Sequence, residues 1–246
     1  MRYFLALLCF VPALAFAQVN IESSRGGDKQ GFTGNLDVGF ERKTGNTDVL
    51  SYVLKTRLDY VSGNHHTFLQ LERSEGSSRG VDFKDEAFGH ARWTMMFGGW
   101  YGTDLFVQSQ YDTFKDLMLR QLEGGYLRLV APLFAGEVAV GLGAMSEFER
   151  LKGGGGEGFS ARYTSYLSLT ENLSQDKIKI SLTGYYQPKI KDLSDYRMTF
   201  IGQIEVLFFD KSFSLVPSAS YAYDSRPPVG VVVDDSETTL YLRYRW

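Results

Sequence analysis

The chain has 246 residues, and its 26 lysines and arginines against 29 acidic residues give a formal net charge of −3. This balance lacks the basic excess of nucleic-acid-binding domains, so we expect no nucleic-acid partner. Hydrophobic residues make up 43% of the chain, yet they form no run of the roughly 20 residues that a membrane-crossing helix needs. The composition therefore favours one all-β domain with its apolar residues spread along strands.

The N-terminal segment predicts export. A short apolar stretch, residues 5–14, is followed by Ala15-Phe16-Ala17, a small-x-small cleavage motif. This arrangement is that of a secretory signal peptide, which we assign to residues 1–17. The only cysteine, Cys9, lies within it, so the exported chain is predicted to have no thiol or disulfide chemistry. Residues 18–30 are polar and are predicted to be a short periplasmic lead-in.

Residues 31–246 consist of successive segments in which apolar and polar side chains alternate. In the second segment, for example, Leu54 and Leu58 share one face and Lys55 and Arg57 share the other. Because successive side chains of a strand point to opposite sides, these segments are predicted to be amphipathic strands. About twelve of them follow one another, which predicts a transmembrane antiparallel up-and-down β-barrel of the bacterial outer-membrane type.

The segment 117–130 fits this alternation least well. We predict that Leu122 and Tyr126 face outward with the other apolar residues and that Glu123 faces the interior. This choice leaves Arg120 and Arg128 on the apolar side. Their positions near strand ends would let the long side chains reach the polar headgroups.

The connections between the strands are predicted to alternate between short and long. In an outer-membrane barrel both chain ends lie on the periplasmic side, where turns are short, and the longer loops lie on the opposite side. The predicted long loops are residues 74–84, 147–158, 188–195 and 225–235. This asymmetry favours the membrane barrel over a soluble β-sandwich, which is the alternative fold.

The chain ends on a strictly alternating segment. Leu242, Tyr244 and Trp246 share its apolar face, whereas Arg243 and Arg245 share the other. An amphipathic strand that finishes on a terminal aromatic residue is typical of the closing strand of an outer-membrane barrel. We therefore predict that the apolar face is an assembly signal recognised by the barrel-assembly machinery, with periplasmic chaperones as further partners.

Charged side chains that face the interior are the candidate functional residues. They are Lys55, Arg57, Asp104, Glu137, Arg162, Lys179, Arg197, Glu205 and Arg243. Both signs of charge are present, so these residues either line a narrow channel or pair with one another inside the barrel. A barrel of twelve strands is intermediate between those filled by side chains and those with an open channel, so strand number does not decide between the two.

The three histidines limit the enzymatic alternatives. His65 and His66 lie in a predicted tight turn, and His90 faces the interior. None is predicted in the outer loops or on the lipid-facing side, where outer-membrane hydrolases and acyltransferases would need one, so we predict no catalytic residue and no cofactor. Acidic residues in the outer loops could hold calcium. The favoured interpretation is a solvated rim beside lipopolysaccharide, without a metal site.

Two short motifs resemble a known family. Residues 34–40 read GNLDVGF and residues 44–47 read TGNT; residues 223–230 read YDSRPPVG, ahead of the aromatic-ended strand. These motifs resemble the opening and closing segments of the DUF481 family, also labelled salt-induced outer membrane proteins. The resemblance implies a barrel over about residues 31–246, an outer-membrane location and a link to salt or osmotic stress, and it brings no catalytic chemistry.

The sequence thus predicts a monomeric outer-membrane barrel without a catalytic site that contacts membrane lipid and lipopolysaccharide. It would act as a small channel or as a component of the envelope stress response. The alternatives are an outer-membrane enzyme, either a hydrolase or an acyltransferase, and a non-conducting structural barrel.

Overall fold

The computed structural model describes most of the chain after the N-terminal segment. The described residues are 29–43, 49–78, 81–152, 158–174, 177–209, 212–228 and 231–246. The predicted signal peptide and nearly all of the predicted lead-in lie outside these residues and stay predictions. Within the described part of the chain, no helix has the length and apolar character that a membrane-crossing helix requires.

The described residues form twelve antiparallel strands that close into a barrel, in which each strand pairs with the next and the last pairs with the first. The strands are β1 (Gly31–Lys43), β2 (Val49–Ser62), β3 (His65–Ser78), β4 (Val81–Met96), β5 (Tyr101–Asp112), β6 (Leu117–Leu133), β7 (Gly136–Leu151), β8 (Gly158–Leu173), β9 (Ile178–Lys189), β10 (Asp192–Phe208), β11 (Phe213–Asp224) and β12 (Asp234–Arg245). A short 3-10 helix, Thr113–Lys115, follows β5. The predicted all-β, up-and-down barrel is confirmed.

The barrel has two distinct ends. The start of β1 and the end of β12 lie at one of them, which we call the terminal end, and the opposite one is the loop end. Three predicted long loops at the loop end are wrong, because β3 continues to Ser78, β7 to Leu151 and β9 to Lys189. Polar side chains suggested loops there, but strands can extend past an apolar band while their backbone groups remain paired.

Apolar side chains cover most of the outer face. Leu54, near the middle of β2, is 52% exposed. Aromatic pairs lie on either side of it along the strands: Phe32 with Tyr60 toward the terminal end and Phe40 with Tyr52 toward the loop end. An apolar band between two rows of aromatic residues is the surface that a barrel presents to lipid.

Strand β6 faces the opposite way from the prediction. Leu122, Tyr126 and Arg128 are buried in the interior, whereas Glu123 is exposed on the outer face. The prediction assumed that apolar residues of the wall face lipid. The interior contains an apolar layer of its own, to which Leu122 and Tyr126 belong, so both faces of this strand carry apolar residues and the alternation alone misleads.

The seam between β1 and β12 is closed by the last residue of the chain. Trp246 and Gly34 exchange two backbone hydrogen bonds, of 3.1 and 3.3 Å. The indole ring lies directly over Gly34, where an added Cβ would come within 2.4 Å of a ring atom. The predicted assembly-signal residues Leu242, Tyr244 and Trp246 all lie on the outer face of this seam.

We expect deletion of Trp246 to reduce the folded protein in the outer membrane to a small fraction of the wild-type amount. The deletion removes the terminal aromatic residue and its packing on Gly34. A second variant, Gly34→Val, displaces the ring but keeps the terminal residue, so it separates packing from recognition by the assembly machinery. The measurement is membrane fractionation with heat-modifiable gel mobility.

Arg245→Ser is the control, because Arg245 points inward and its partner Glu205 keeps Arg243. Wild-type amounts after the Trp246 deletion would contradict the assembly signal.

Candidate functional site in the barrel interior

A buried charge network occupies the terminal side of the interior. Arg243 donates to both carboxylate oxygens of Asp37, at 2.7 Å each, and to Glu205 at 3.1 Å. Ser214 and Arg245 also donate to Glu205. The side chains of Asp37, Glu205 and Arg243 are at most 3% exposed. The network links β1, β10, β11 and β12 and keeps Asp37, Glu205 and Arg243 out of contact with solvent, whereas Arg245 is partly exposed.

A second buried ion cluster lies beside the first on β2 and β3. Arg57 donates to the Asp59 carboxylate at 2.9 Å, and the Nε2 atom of His66 lies 2.7 Å from the same carboxylate. The Arg57 guanidinium also stacks 3.6 Å above the ring of Phe68, a favourable cation–π contact. This cluster extends the filled region around the terminal side of the barrel.

An aromatic layer crosses the middle of the interior. We define it as Phe68, Phe88, His90, Phe106, Tyr126, Tyr166 and Tyr185. Neighbouring rings contact one another from β3 to β9, with centroid distances of 5.0 to 6.1 Å. Strand β7 crosses this level with glycines, and a Cβ on Gly141 would lie 2.0 Å from the Tyr166 ring. The missing side chain thus makes room for a ring that projects across the interior.

Arg92 lies among these rings and ties them to a buried carboxylate. Its guanidinium is 5.4 to 6.0 Å from the ring centroids of Phe68, Phe106, Tyr126 and Tyr166. Asp104, which is fully buried, accepts hydrogen bonds from the hydroxyls of Thr94, at 2.7 Å, and Tyr166, at 3.1 Å, and lies 3.5 Å from Arg92. The middle of the barrel is therefore packed with side chains.

The loop side of the interior holds a third network and two cavities. Glu147 is surrounded by three arginines, Arg120, Arg162 and Arg197. The cavities measure about 90 and 110 Å³, and Lys115 lines both of them. Burial lowers the pKa of the Lys115 ammonium, although nearby carboxylates oppose the shift. The open space on the loop side of the interior lies between the aromatic layer and the loop end.

All nine predicted interior residues lie on the inner side of the wall. Lys55, Arg57, Asp104, Arg162, Glu205 and Arg243 are buried, and Lys179 and Arg197 are partly buried. Glu137, at the terminal end, is the most exposed, with 45% of its side chain accessible and Arg128 at 3.9 Å. The structure brings Glu205 and Arg243 into one network and Arg162 and Arg197 into another.

The prediction missed several residues that complete these networks. They include Asp37, Asp59, Arg92, Arg128 and Glu147. The sequence predicts a loop at Glu147 and an outward-facing Arg128, whereas both side chains are buried in the interior. Within the described residues, no group of three or more His, Cys, Asp or Glu side chains is placed to hold a metal ion.

A signal for the aromatic layer was present in the sequence. Phe106 stands between Leu105 and Val107, at a position that alternates in step with Asp104 and Gln108. Since Asp104 was predicted to face inward, the same parity places the Phe106 ring inside. Aromatic residues at polar positions of the alternation thus mark the side chains that fill the interior.

A closed antiparallel barrel with an apolar outer face and a polar, ion-paired interior defines the class of outer-membrane-type β-barrels. Within this class the chain belongs to the DUF481 family, whose model, described as a protein of unknown function, matches residues 36–246. This match confirms the family that the two sequence motifs predicted. No curated protein matches the chain in sequence.

Solved structures with a similar barrel include porins and an autotransporter domain. The NanC porin is 10% identical and the KdgM porin, solved in complex with disordered oligogalacturonate, is 13% identical; each has a TM-score of 0.48, covering 85% of this chain and 97% and 98% of the porins. The translocator domain of the autotransporter NalP from Neisseria meningitidis is 15% identical, with a TM-score of 0.46 over 92% of this chain and 91% of the domain. At this low identity no functional assignment follows.

Proposed function

We propose that the protein is a non-catalytic β-barrel of the bacterial outer membrane whose interior is closed to solutes in the conformation described. The observation that carries this proposal is the aromatic layer, in which seven contacting rings and the Arg92 guanidinium fill the middle of the barrel. The protein would act as a structural or binding component of the envelope. It would not act as an open porin.

The membrane location is supported by the outer face. A soluble barrel of this size would expose few contiguous apolar patches, whereas here large apolar side chains such as Leu58, Leu142, Leu182 and Leu240 are about half exposed around the wall. Hydrocarbon is the environment in which such a surface is stable. The proposal includes folding by the barrel-assembly machinery with the help of periplasmic chaperones, and contact with membrane lipid and lipopolysaccharide.

The closed interior is supported by burial in the middle of the barrel and in its terminal half. Asp37, Arg57, Gln70 and Asp104 come from four different strands, and each has a relative exposure of 0%. A water-filled channel would leave the side chains that line it in contact with solvent. Ion pairs and packed rings instead surround the charged residues of the interior, which favours the non-conducting interpretation of the nine predicted residues.

A gated channel is the second candidate. The two cavities on the loop side share Gln110, Lys115, Leu117 and Arg120 in their linings, so only a few side chains divide the space above the aromatic layer. Displacement of that layer would join this space to the terminal side. The response to salt or osmotic stress rests on the family resemblance and would give such gating a physiological setting.

The non-catalytic part of the proposal is supported by the surroundings of the histidines. His66 lies against the Asp59 carboxylate, and His90 is stacked between Phe68 and Phe106, with Gln108 at 3.1 Å from its Nδ1 atom. Both rings are buried among packed side chains. A substrate could not reach either ring without displacing the aromatic layer or the ion cluster beside it.

Cysteine labelling in intact cells tests the location and the orientation. The proposal places the loop end outside the cell, so Pro228→Cys should react with a membrane-impermeant maleimide in intact cells. Gly99→Cys, in the connection between β4 and β5 at the terminal end, should react only after permeabilisation. Both variants are made in a Cys9→Ser background. Labelling of Gly99→Cys alone in intact cells would reverse the orientation, and recovery of the protein in the soluble fraction would contradict the membrane location.

A further inference from the structure

The apolar outer face is interrupted on one side of the barrel. On the loop-side half of β5, β6 and β7, five exposed residues are small or polar: Ser109, Gln121, Glu123, Ala144 and Ser146, which we call the β5–β7 patch. Val107 and Met118, which are 54% and 53% exposed, lie at its edges. The same half of β1 and β2 carries large side chains. Phe40 on β1 and Tyr52 on β2 are 57% and 49% exposed.

The β5–β7 patch lies within the membrane-facing band. Glu123 pairs in register with Val107 on one side and Ser146 on the other. Toward the loop end the patch is bounded by the contacting rings of Phe148 and Phe159, whose centroids are 4.8 Å apart. Toward the terminal end it is bounded by Leu127, which is 70% exposed. Apolar and aromatic residues thus flank it along the strands.

Two exposed charges on this face have no ion-pair partner within the described part of the chain. They are Glu123 and Arg150, which lies on β7 four residues beyond Ser146. By contrast, the outward-facing Arg73 on β3 pairs with Glu75 and Asp85. Ionisable residues within a membrane are costly, so they almost always have a partner or face water. A Glu123 carboxylate in contact with lipid alone would have neither an ion-pair partner nor water.

We infer that the β5–β7 patch is the contact surface between two copies of this chain, related by a two-fold axis along the membrane normal. In a two-fold interface, residue i of the first copy contacts residue j of the second, and residue j of the first copy contacts residue i of the second. One unpaired anion and one unpaired cation on the same face meet this requirement, because Glu123 of each copy can pair with Arg150 of the other.

The size and reach of the side chains fit this arrangement. Small residues at positions 144 and 146 let two walls approach closely, as small residues do at membrane interfaces. Arg150 lies roughly 13 Å along the strand from Ser146 at 3.3 Å per residue. Its long side chain can lie back toward the patch while its aliphatic stem covers apolar surface. The dimer replaces the monomer predicted from the sequence, and it rests on the proposed membrane location but not on the closed interior.

Disulfide crosslinking of the full chain in native membranes tests the contact. In a Cys9→Ser background, Ser146→Cys should give a covalent dimer on oxidation. Ala219→Cys, a small outward-facing residue on β11 at the opposite side of the barrel, should give none. Heat-modifiable mobility and fractionation first show that both variants are folded and in the membrane, so failure of the location and failure of the dimer are distinguished.

Charge reversal tests the pairing. Glu123→Arg and Arg150→Glu should each raise the dissociation constant of the dimer, measured by native mass spectrometry in lipid nanodiscs, by about tenfold or more, since each places like charges in contact. The double variant should restore wild-type dimerisation. The inference would be overturned if the wild-type protein were monomeric in nanodiscs and the Ser146→Cys variant gave no covalent dimer. It would also be overturned if Ser146→Cys crosslinked only to a different protein, or if the double variant dimerised no better than the single variants.

Discussion

Replacing Arg243 by methionine should destabilise the folded barrel by about 3–5 kcal/mol, the cost of removing one partner from a buried ion pair. The guanidinium bridges Asp37 and Glu205 across the seam between β1, β10 and β12. Without it, the amide of Asn35 would be the one hydrogen-bond donor left to Asp37 among the described side chains, and the carboxylate would remain buried. Urea unfolding of the refolded protein in lipid vesicles, followed by tryptophan fluorescence, measures the change.

The matched control for this variant is Arg226→Met. Arg226 pairs with Asp192 at 2.9 Å, but both side chains are about half exposed at the loop end. Exposed ion pairs contribute about 0–1 kcal/mol, because water screens the charges. If the two substitutions lowered the free energy of unfolding equally, the interior around Arg243 would be hydrated, and the ion pairs of Arg243 would not be buried.

Removing two rings of the aromatic layer should open the interior. The double variant Tyr126→Ala, Tyr166→Ala deletes neighbouring rings that cross the barrel, together with the hydroxyl that bonds Asp104 and Arg128. Each truncation creates space and destabilises the fold, by about 3–5 kcal/mol for a large aromatic residue. Heat-modifiable mobility therefore has to show folded protein before planar-bilayer recording, in which we expect stepwise conductance.

The control variant makes the same two tyrosine-to-alanine substitutions, but on the outer side of the barrel wall. Tyr163→Ala, Tyr186→Ala removes two tyrosines from β8 and β9 that face outward and are about half exposed. We expect no conductance from this variant. If the outward and inward pairs behaved alike, the aromatic layer would not be what closes the interior.

Alternation was sufficient to predict the barrel, because a strand with one face toward lipid and one toward a polar interior must alternate. It also placed Lys55 and Arg57 inside. It failed at β6, where Leu122 and Tyr126 pack in the interior and Glu123 lies outside. An interior with its own apolar layer makes the two faces of such a strand alike in hydrophobicity.

The sequence alone does not predict which interior charges pair with one another. Arg243 and Asp37 lie 206 residues apart and meet only because β12 pairs with β1. Arg162 and Glu147 lie on adjacent strands, but the polar residues around Glu147 predict a loop there. Such partners depend on strand register and on how far each strand extends, and neither follows from hydrophobic pattern alone.

The central claim is that the interior of the wild-type barrel is filled by its own side chains. Planar-bilayer recording of the wild-type protein, refolded in lipid, tests it most directly, with the Tyr126→Ala, Tyr166→Ala variant from the same preparation as the positive control for insertion. We predict no conductance steps from the wild type at voltages of either sign. A stable open level in the wild type, equal to that of the double variant, would contradict the claim.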